Sequence, residues 1–565
     1  MILFKILVTS LLLEVCLASQ FYKEHLNLKP YPRNKLLTGF DFNIQSQPFE
    51  LTYHNESNIR TTPEVNHYSY FPSSLGPIIS STNTRELHLR FTQGWWDAQS
   101  WGVLPHAGEF SGGTGVEVMA VIEAPDIEIA KRQWKKLTKI LSGFFCASLN
   151  FIDDDITTYP KFKVGSGYAP EQGNHLYLLR AALPSEPVCT ENLTPFLRLL
   201  PTRGKSGIST LLDGHKVFDS LWHGMSIDVT TECEDSSCFL QLHQTINQMV
   251  DIIRSIRKQT EGGIPKPIAG DKLRCDPNKT HTIWQCFPLG DPVDLGWSLE
   301  TIYGRKITGC AFEQESSTIA VEVDPNWDVT LVKESPDSLV HASVTGSVNL
   351  EESLKYDLKF STKNSSNVLP IVSPPIYASR SLTGYSLDKG GLRVSFTNPS
   401  SEPVTFIYFE SIPWFMRLYF NDLKLKLKQE QETDVTDIQE QYIKERYYKP
   451  AIDRTRPSHM ELKIVIPSNS SLVMTYSFDK SLLLYHEYPP DANHGFDIEP
   501  AVITILDKSQ EVYQFRTTSL LLTLPTPDFS MPYNVIILTC TVLSLAFGIV
   551  FNLVTKQVPA RLNNN

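Results

Sequence analysis

Short runs in which hydrophobic and polar residues alternate dominate the chain after about residue 300. Examples are Thr318–Val323, Val340–Leu350, Leu392–Phe396, Val404–Phe409 and Leu462–Ile466. A period of two residues is typical of half-buried β-strands, and turn residues between such runs predict a β-sandwich over residues 301–525. In Leu423–Lys428, leucine alternates strictly with lysine, which predicts an edge strand with a solvated basic face.

The first half of the chain mixes strand and helix periods. Glu86–Phe91 and Val116–Ile122 have the pattern of strands. Asp126–Phe145 follows a proline and carries apolar residues at helical spacing, and so do the apolar residues from Leu242 to Ile256. Both segments are therefore predicted to be amphipathic helices.

These patterns predict a mainly β, α+β protein of several domains. We expect an N-terminal α+β domain over residues 20–300, of which 257–300 is a linker or insertion rich in glycine and proline. The β-sandwich-type domain over 301–525 follows it.

The two ends of the chain carry apolar segments of different length. Residues 1–19 combine Lys5, a short apolar run and the small residues Cys16 and Ala18, which is typical of a secretory signal peptide. The alternative, a signal anchor, needs a longer apolar run to cross about 30 Å of hydrocarbon.

Val535–Val554 carries no charge and, at about 1.5 Å per residue, reaches about 30 Å, the thickness of one bilayer core. Lys556 and Arg561 follow it, which predicts a cytoplasmic tail over 555–565 and a luminal or extracellular position for the rest. A GPI-attachment signal is the competing interpretation, but it needs a polar spacer before the apolar tail and no continuation after it.

Charge and motifs exclude several classes of function. A formal net charge of −11 does not suit a nucleic-acid-binding protein, which needs a basic face. We find no zinc-protease motif and no nucleophile elbow, and Leu199 stands where a P-loop ending in Gly204-Lys205-Ser206 needs glycine. We therefore predict no catalytic residue, metal site or cofactor.

The tryptophans 95, 96 and 101 are interpreted as core or interface residues, with glycan binding as the alternative.

Cysteine arithmetic gives the most specific prediction. Of nine cysteines, Cys16 leaves with the signal peptide and Cys540 lies in the span. The other seven are Cys146, Cys189, Cys233, Cys238, Cys275, Cys286 and Cys310. Because seven is odd, at least one thiol stays free or pairs with another chain.

Spacing suggests two intrachain bridges, Cys233 with Cys238 and Cys275 with Cys286. Of the remaining three, Cys146 lies in an apolar run and is expected to be buried, and both Cys146 and Cys310 stay open as intrachain bridge candidates. Cys189 lies between Pro187 and Pro195, which predicts an exposed extended loop and makes it the candidate odd cysteine. An internal bridge of Cys189 remains the alternative.

Five N-glycosylation sequons agree with a secretory-pathway protein. They are Asn55, Asn192, Asn278, Asn364 and Asn469.

Several stretches resemble the PIG-T family, a subunit of the GPI-anchor transamidase. They occur in the family's order at Leu89–Trp96 with Trp101-Gly102, Leu141–Asp153, Val188–Pro195 with Leu199–Pro201, Ile412–Tyr419, Pro490–Phe496 and Leu522–Val535. Runs of this length are more specific than a short spaced motif.

The resemblance implies a non-catalytic, mostly β, type I subunit of the endoplasmic reticulum membrane. Its complex joins the new C-terminus of a cleaved proprotein to a GPI lipid, and the nucleophile belongs to a separate caspase-like subunit. The family's interchain disulfide to that subunit uses the cysteine of the Cys-Thr-Glu-Asn motif, here Cys189. A bridge at that position weakens the case for a glycan at Asn192.

Two other interpretations stay open. One is a type I cell-surface receptor or adhesion ectodomain, in which the odd cysteine bridges a dimer. The other is a luminal thiol hydrolase that uses Cys146 with a distant histidine.

Overall fold

The structure is a computed structural model. It describes residues 22–49, 53, 70–162, 170, 173–234, 237–261, 296–312, 316–335, 338–344, 346–351, 354–364, 367–384, 386–428, 439–489, 491–507, 510–526, 528 and 530–556. The predicted signal peptide, Asn55, Cys275, Asn278, Cys286 and most of the predicted tail lie outside these residues.

The N-terminal lobe, residues 22–364, contains fourteen described strands. They are β1 Tyr22–Tyr31, β2 Lys35–Gln45, β3 Thr84–Gly94, β4 Gly115–Ala124, β5 His175–Leu183, β6 Trp222–Glu234, β7 Ser237–Asp251, β8 Gly296–Ser298, β9 Ile307–Thr308, β10 Ser317–Val321, β11 Trp327–Ser335, β12 Ser338–Ser343, β13 Gly346–Asn349 and β14 Lys355–Thr362. Nine form one sheet in the order β13-β10-β1-β2-β7-β6-β3-β4-β5, and a second sheet has the order β12-β11-β14-β8, with β9 also paired to β14.

The C-terminal lobe, residues 367–526, contains the remaining described strands. They are β15 Tyr377–Thr383, β16 Lys389–Asn398, β17 Val404–Ile412, β18 Met416–Lys428, β19 Ile443–Lys449, β20 Ser458–Ile466, β21 Ser470–Lys480, β22 Phe496–Ile498, β23 Val502–Asp507, β24 Gln510–Arg516 and β25 Leu520–Leu522. The orders β15-β16-β21-β18 and β19-β20-β17-β23-β24 define two sheets, and β22 pairs with β25.

The helices are fewer and mostly short. Those described are α1 Gly76–Ser81, α2 Ala98–Trp101, α3 Ile127–Phe145, α4 Thr190–Leu199, α5 Gly214–Val217, α6 Ile252–Glu261, α7 Leu299–Tyr303, α8 Gln439–Tyr442 and α9 Ser530–Thr555. The mainly β class predicted from the alternating pattern is thus confirmed.

The two sheets of the C-terminal lobe pack their apolar faces together, as the alternation predicts. Phe396 of β16 contacts Phe406 and Tyr408 of β17, with ring centroids 4.9 and 5.5 Å apart. Strand β18 is an edge strand in which Lys424 and Lys426 are exposed, so the predicted basic edge is confirmed.

The large sheet extends further along the sequence than the predicted boundary at residue 300. Strand β10 pairs in parallel with β1, and β13 pairs with β10. Residues 317–349 therefore belong to the N-terminal lobe, which continues through β14, and the C-terminal lobe begins only after residue 364. The segment Val340–Leu350, expected as one strand, forms β12 and β13 in different sheets.

The helix predicted from Leu242 to Ile256 is wrong for most of its length. Residues up to Asp251 belong to β7, and helix α6 begins only at Ile252. In β7, seven consecutive residues, 244–250, are all buried or nearly so on both faces of the sheet. Such a central strand loses the period of two, and its apolar positions then match a helical spacing by chance.

Helix α3 forms where its pattern predicts. The Asp126 side chain accepts a hydrogen bond from the backbone N–H of Ile129 at 2.8 Å and caps the first turn. Trp134, Leu137 and Leu141 are buried against the large sheet. The helix ends at Phe145, and Cys146 adopts a left-handed conformation with φ of 53°.

Helix α9 contains the predicted transmembrane segment. Among the described residues, Tyr533–Thr555 is the one helical stretch long and apolar enough to cross a bilayer, with 23 residues. It includes the whole predicted span Val535–Val554.

Candidate partner-binding site

Two cysteines lie on neighbouring segments, where helix α3 ends and where helix α4 begins. Cys146 is the exposed residue after α3, and the partly exposed Cys189 is the N-cap of α4. The buried Asn192 connects the two segments. Its Oδ1 accepts the backbone N–H of Cys189 at 2.8 Å, and its Nδ2 donates to the carbonyl oxygen of Phe145 at 2.9 Å.

Both cysteines differ from their predicted surroundings. Cys146 was expected to be buried, but the left-handed turn places it at the surface while Phe145 fills the core. Cys189 was expected in an extended loop. Its own backbone is extended, but a helix begins directly after it because Leu193, Phe196 and Leu199 bury one face of α4. Pro195 inside this helix removes only one hydrogen-bond donor.

A hydrogen bond joins the loops beside the two cysteines. The backbone N–H of Ser148 donates to Oε1 of Glu186 at 2.8 Å, which ties the chain after α3 to the chain before α4. In the adjoining turn, Phe151 is 70% exposed, and Pro187 is exposed next to Cys189. We call the group of Cys146, Phe151, Glu186, Pro187 and Cys189 the thiol surface.

The other cysteines are placed differently. Cys233 and Cys238 form the predicted disulfide across the β6–β7 hairpin. Cys310 is buried in the core of the N-terminal lobe. Of the cysteines outside α9 that the structure describes without a disulfide, Cys146 is exposed, Cys189 is partly exposed and Cys310 is buried. The odd-cysteine argument thus leaves two accessible candidates rather than one.

Burial separates the sequons that the structure describes. Asn192 is 1% exposed and both atoms of its side-chain amide are hydrogen-bonded, so a glycan at this position is incompatible with the fold. Asn364 and Asn469 are exposed and remain candidates.

A second group of polar residues holds the two lobes together. Arg180 of β5 donates to Glu117 of β4 at 3.0 Å and to Glu499 of the C-terminal lobe at 2.7 Å. Arg516 of β24 donates to both carboxylate oxygens of Glu117 at 3.2 Å. We call these four residues the seam.

A further group of three charged or titratable residues lies next to the seam. Arg90 and His88 contact Asp228, with nitrogen–oxygen distances of 2.6 Å each. Burial alone raises the pKa of Asp228, but Arg90 and His88 outweigh it, and its pKa falls to about 2. In the same way Arg516 and Arg180 overcome the effect of burial on Glu117 and hold its pKa well below the usual range.

Residues of the seam line part of a pocket of about 340 Å³ whose charged groups are largely paired with one another. Sequence reasoning missed the seam. The available signal was a charged residue in an apolar strand, such as Glu117 between Val116 and Val118. Such a residue is buried only when a partner from another element neutralises it.

Comparison with known proteins decides the family. The sequence model of the Gpi16 family, described as the Gpi16 subunit, a GPI transamidase component, matches residues 6–564 of this chain. This chain belongs to the Gpi16 family. It is similar to the GPI transamidase component GPI16 of Saccharomyces cerevisiae, with 46% identity over 95% of this chain and 88% of the relative.

More distant relatives agree with this assignment. The GPI-anchor transamidase component PIGT of Homo sapiens is 30% identical over 94% of this chain and 90% of its own length. Among solved structures, the match to the collagen-binding domain of a Staphylococcus aureus adhesin spans 26% of this chain and 97% of that domain. Its identity is 10% and its TM-score is 0.18, so it plays no part in the assignment. The family and the PIG-T resemblance are thus established by sequence.

In this Gpi16-family chain, the described residues contain no group of three or more histidine, cysteine or acidic side chains arranged to hold a metal ion. The backbone N–H of Cys146 donates to the carbonyl oxygen of Ser142, and its own carbonyl oxygen accepts from Nδ2 of Asn192. In the described part of the chain, no hydrogen bond joins the Cys146 thiol to a histidine. The geometry therefore gives no support to the thiol-hydrolase interpretation.

The tryptophan cluster has two parts. Trp96 is buried and packs edge-to-face on Trp101 and Trp222, with centroids 5.1 and 4.9 Å apart, which confirms a core role for it. Trp95 is exposed beside a cavity of about 510 Å³ between the lobes.

Proposed function

We propose that this chain is the non-catalytic scaffold subunit of the GPI transamidase and that it holds the caspase-like catalytic subunit through an interchain disulfide at Cys189. The observation that carries the proposal is the thiol surface. There Cys189 reaches solvent while Asn192 fixes its backbone. The similarity to GPI transamidase components supports the complex to which we assign this thiol.

The scaffold role depends on position rather than on chemistry. A disulfide between two subunits keeps the second subunit at a high effective concentration without adding a catalytic group. In this proposal the chain is a single-pass type I protein of the endoplasmic reticulum membrane, with both lobes in the lumen. Other membrane subunits, the proprotein and the GPI lipid are contacted through the complex.

Two features support a surface built for a protein partner. Phe151 offers an exposed aromatic side chain within the thiol surface, and aromatic residues are frequent anchors of interfaces. The backbone groups around Cys189 are already hydrogen-bonded within the chain. A partner can therefore dock without having to satisfy them.

The test uses membranes that express the tagged full chain together with the other subunits. Gels run with and without reductant are compared for the wild type, Cys189→Ser and the matched variant Cys146→Ser. We expect a heavier band that contains the catalytic subunit, that disappears on reduction and in Cys189→Ser, and that persists in Cys146→Ser.

Other patterns contradict the proposal in distinguishable ways. Loss of the band only in Cys146→Ser assigns the bridge to the neighbouring thiol. A band at twice the mass of the chain identifies a homodimer, as expected for a receptor ectodomain. The absence of any cysteine-dependent band leaves the scaffold without a covalent link.

A further inference from the structure

Exposed hydrophobic side chains gather at one end of the C-terminal lobe. Outside α9 these residues include Leu387, Ile452, Leu482, Leu484 and Tyr485, which we call the apolar tip. Leu387 is 75% exposed and Leu482 is 71% exposed, so most of each residue is in contact with solvent. Scattered exposed residues are ordinary in soluble proteins, but a group of them marks an interaction surface.

Hydrogen bonds join the three loops that carry these residues. The backbone N–H of Lys480 donates to the carbonyl oxygen of Asp388 at 2.8 Å, and its Nζ donates to that of Ser386 at 3.0 Å. The loop of Leu387 is therefore fixed beside the start of the loop that carries Leu482.

A second connection reaches Ile452. Nη2 of Arg454 donates to Oε2 of Glu487 at 3.0 Å, which joins the turn after Ile452 to the turn at Tyr485–Glu487. The side chains of the apolar tip thus belong to one surface rather than to unrelated loops.

The apolar tip lies next to the start of the transmembrane helix. The Tyr485 side chain lies close enough to interact with that of Tyr533, the first residue of the span Tyr533–Thr555. The Tyr488 hydroxyl donates to the carbonyl oxygen of Pro525 at 2.5 Å, and five residues lead from Pro525 to the start of α9 at Ser530. Five extended residues span at most about 18 Å, so this end of the lobe cannot be far from the bilayer.

We propose that the apolar tip inserts into the luminal leaflet and forms a second membrane contact beside α9. Tyr485 and Tyr533 lie at the depth where tyrosine is enriched, the boundary between hydrocarbon and headgroups. The neighbouring leucines then exchange water for acyl chains, which favours insertion in proportion to the apolar area removed from water. Lys389 is exposed beside Leu387 and faces the phosphate layer.

The contact would fix the tilt of the lobes over the membrane. A single helix with a short connection leaves an attached domain free to rotate, whereas two separated contacts define an orientation. This inference concerns lipid and is independent of the disulfide at Cys189, so either can fail without the other.

The test is photo-crosslinking in native membranes that contain the assembled complex. p-Benzoyl-phenylalanine replaces Leu482 or Leu387 in the full chain. The matched control replaces Leu339, an exposed leucine of the edge strand β12. Assembly of each variant with its partner subunits is checked before irradiation.

We expect peptides that contain position 482 or 387 to carry phospholipid masses after irradiation, at least tenfold more often than peptides that contain position 339. Adducts between these positions and another subunit would show that a protein covers the apolar tip and would overturn the proposal. Lipid adducts no more frequent than at position 339 would also overturn it.

Discussion

The seam and the thiol surface differ in whether their functional groups are buried and paired within the chain or exposed to solvent. In the seam, Glu117, Arg180, Glu499 and Arg516 are buried and neutralise one another within the chain. On the thiol surface the backbone is satisfied internally, but the two thiols and Phe151 face outward. The contrast indicates which region serves the stability of the chain and which is available to a partner.

The difference also connects the two proposals. Because charged pairs cross between the lobes, the N-terminal lobe that carries Cys189 is held in a defined position relative to the C-terminal lobe and its apolar tip. A scaffold needs such coupling if it is to present one subunit at a fixed height above the membrane.

Breaking the seam should have the largest effect. Arg180→Met leaves Glu499 without this partner and removes one of the two arginines of Glu117. Because a buried charge that loses its partner typically costs about 3–5 kcal/mol, we expect a loss of that order in the free energy of unfolding. Thermal unfolding of the purified full chain measures it. Arg393→Met, at an exposed position of β16, is the control, and equal stability of the two variants would contradict a structural role for the seam.

Lowering the pH should reduce the stability of the chain first through His223 and only later through Asp228. His223 is buried, and burial lowers its pKa from 6.5 to about 4. The neutral form is favoured in the fold, so its contribution is complete above pH 6.5 and is lost as the pH falls through about 4. The shift corresponds to at most about 3 kcal/mol. Asp228, with a pKa of about 2, contributes above pH 4 and loses its contribution only as the pH falls towards 2.

The measurement is the unfolding temperature between pH 7 and 4 for the wild type and His223→Asn. The variant should lose less stability over this range because it cannot bind the proton. Parallel curves would show that another group is responsible.

Removing the hydrogen bonds that Asn192 makes beneath the thiol surface should have an intermediate effect on stability. Asn192→Ala leaves the N–H of Cys189 and the carbonyl group of Phe145 without this partner. An unsatisfied buried polar group costs about 1–3 kcal/mol. We also expect a smaller fraction of chains in the interchain disulfide, measured on non-reducing gels. If stability falls and the fraction is unchanged, the ordering of Cys189 is unnecessary for bridge formation.

Changing only the outer face should affect the partner and not the fold. Phe151→Ser removes an exposed ring and should change the free energy of unfolding by less than about 0.5 kcal/mol. The interchain disulfide should nevertheless form less completely if Phe151 contacts the partner. Leu339→Ser, equally outside the core, should leave the disulfide unchanged.

Local pattern predicted the elements whose burial is one-sided. Helix α3 and the basic edge β18 each expose one face, so the period of their apolar residues is visible in the sequence. Strand β4 is buried on both faces, but its short apolar run still has the pattern of a strand. Strand β7 is buried on both faces and was mistaken for a helix. The parallel pairing of β10 with β1 joins residues almost 300 positions apart and has no local signal.

The candidate site was predictable only in part. Cys189 was found through its motif and the odd cysteine count, but the exposure of Cys146 and the role of Asn192 depend on how two distant helix ends meet. Phe151 carries no sequence signal, because an exposed aromatic residue and a buried one look alike until the fold is known.

The most direct test of the scaffold account is peptide mapping of the unreduced complex by mass spectrometry, after free thiols are blocked during purification. The account predicts that the peptide containing Cys189 is joined to a cysteine peptide of the caspase-like subunit. A peptide in which Cys189 is joined to Cys146, or carries the blocking group, would contradict it.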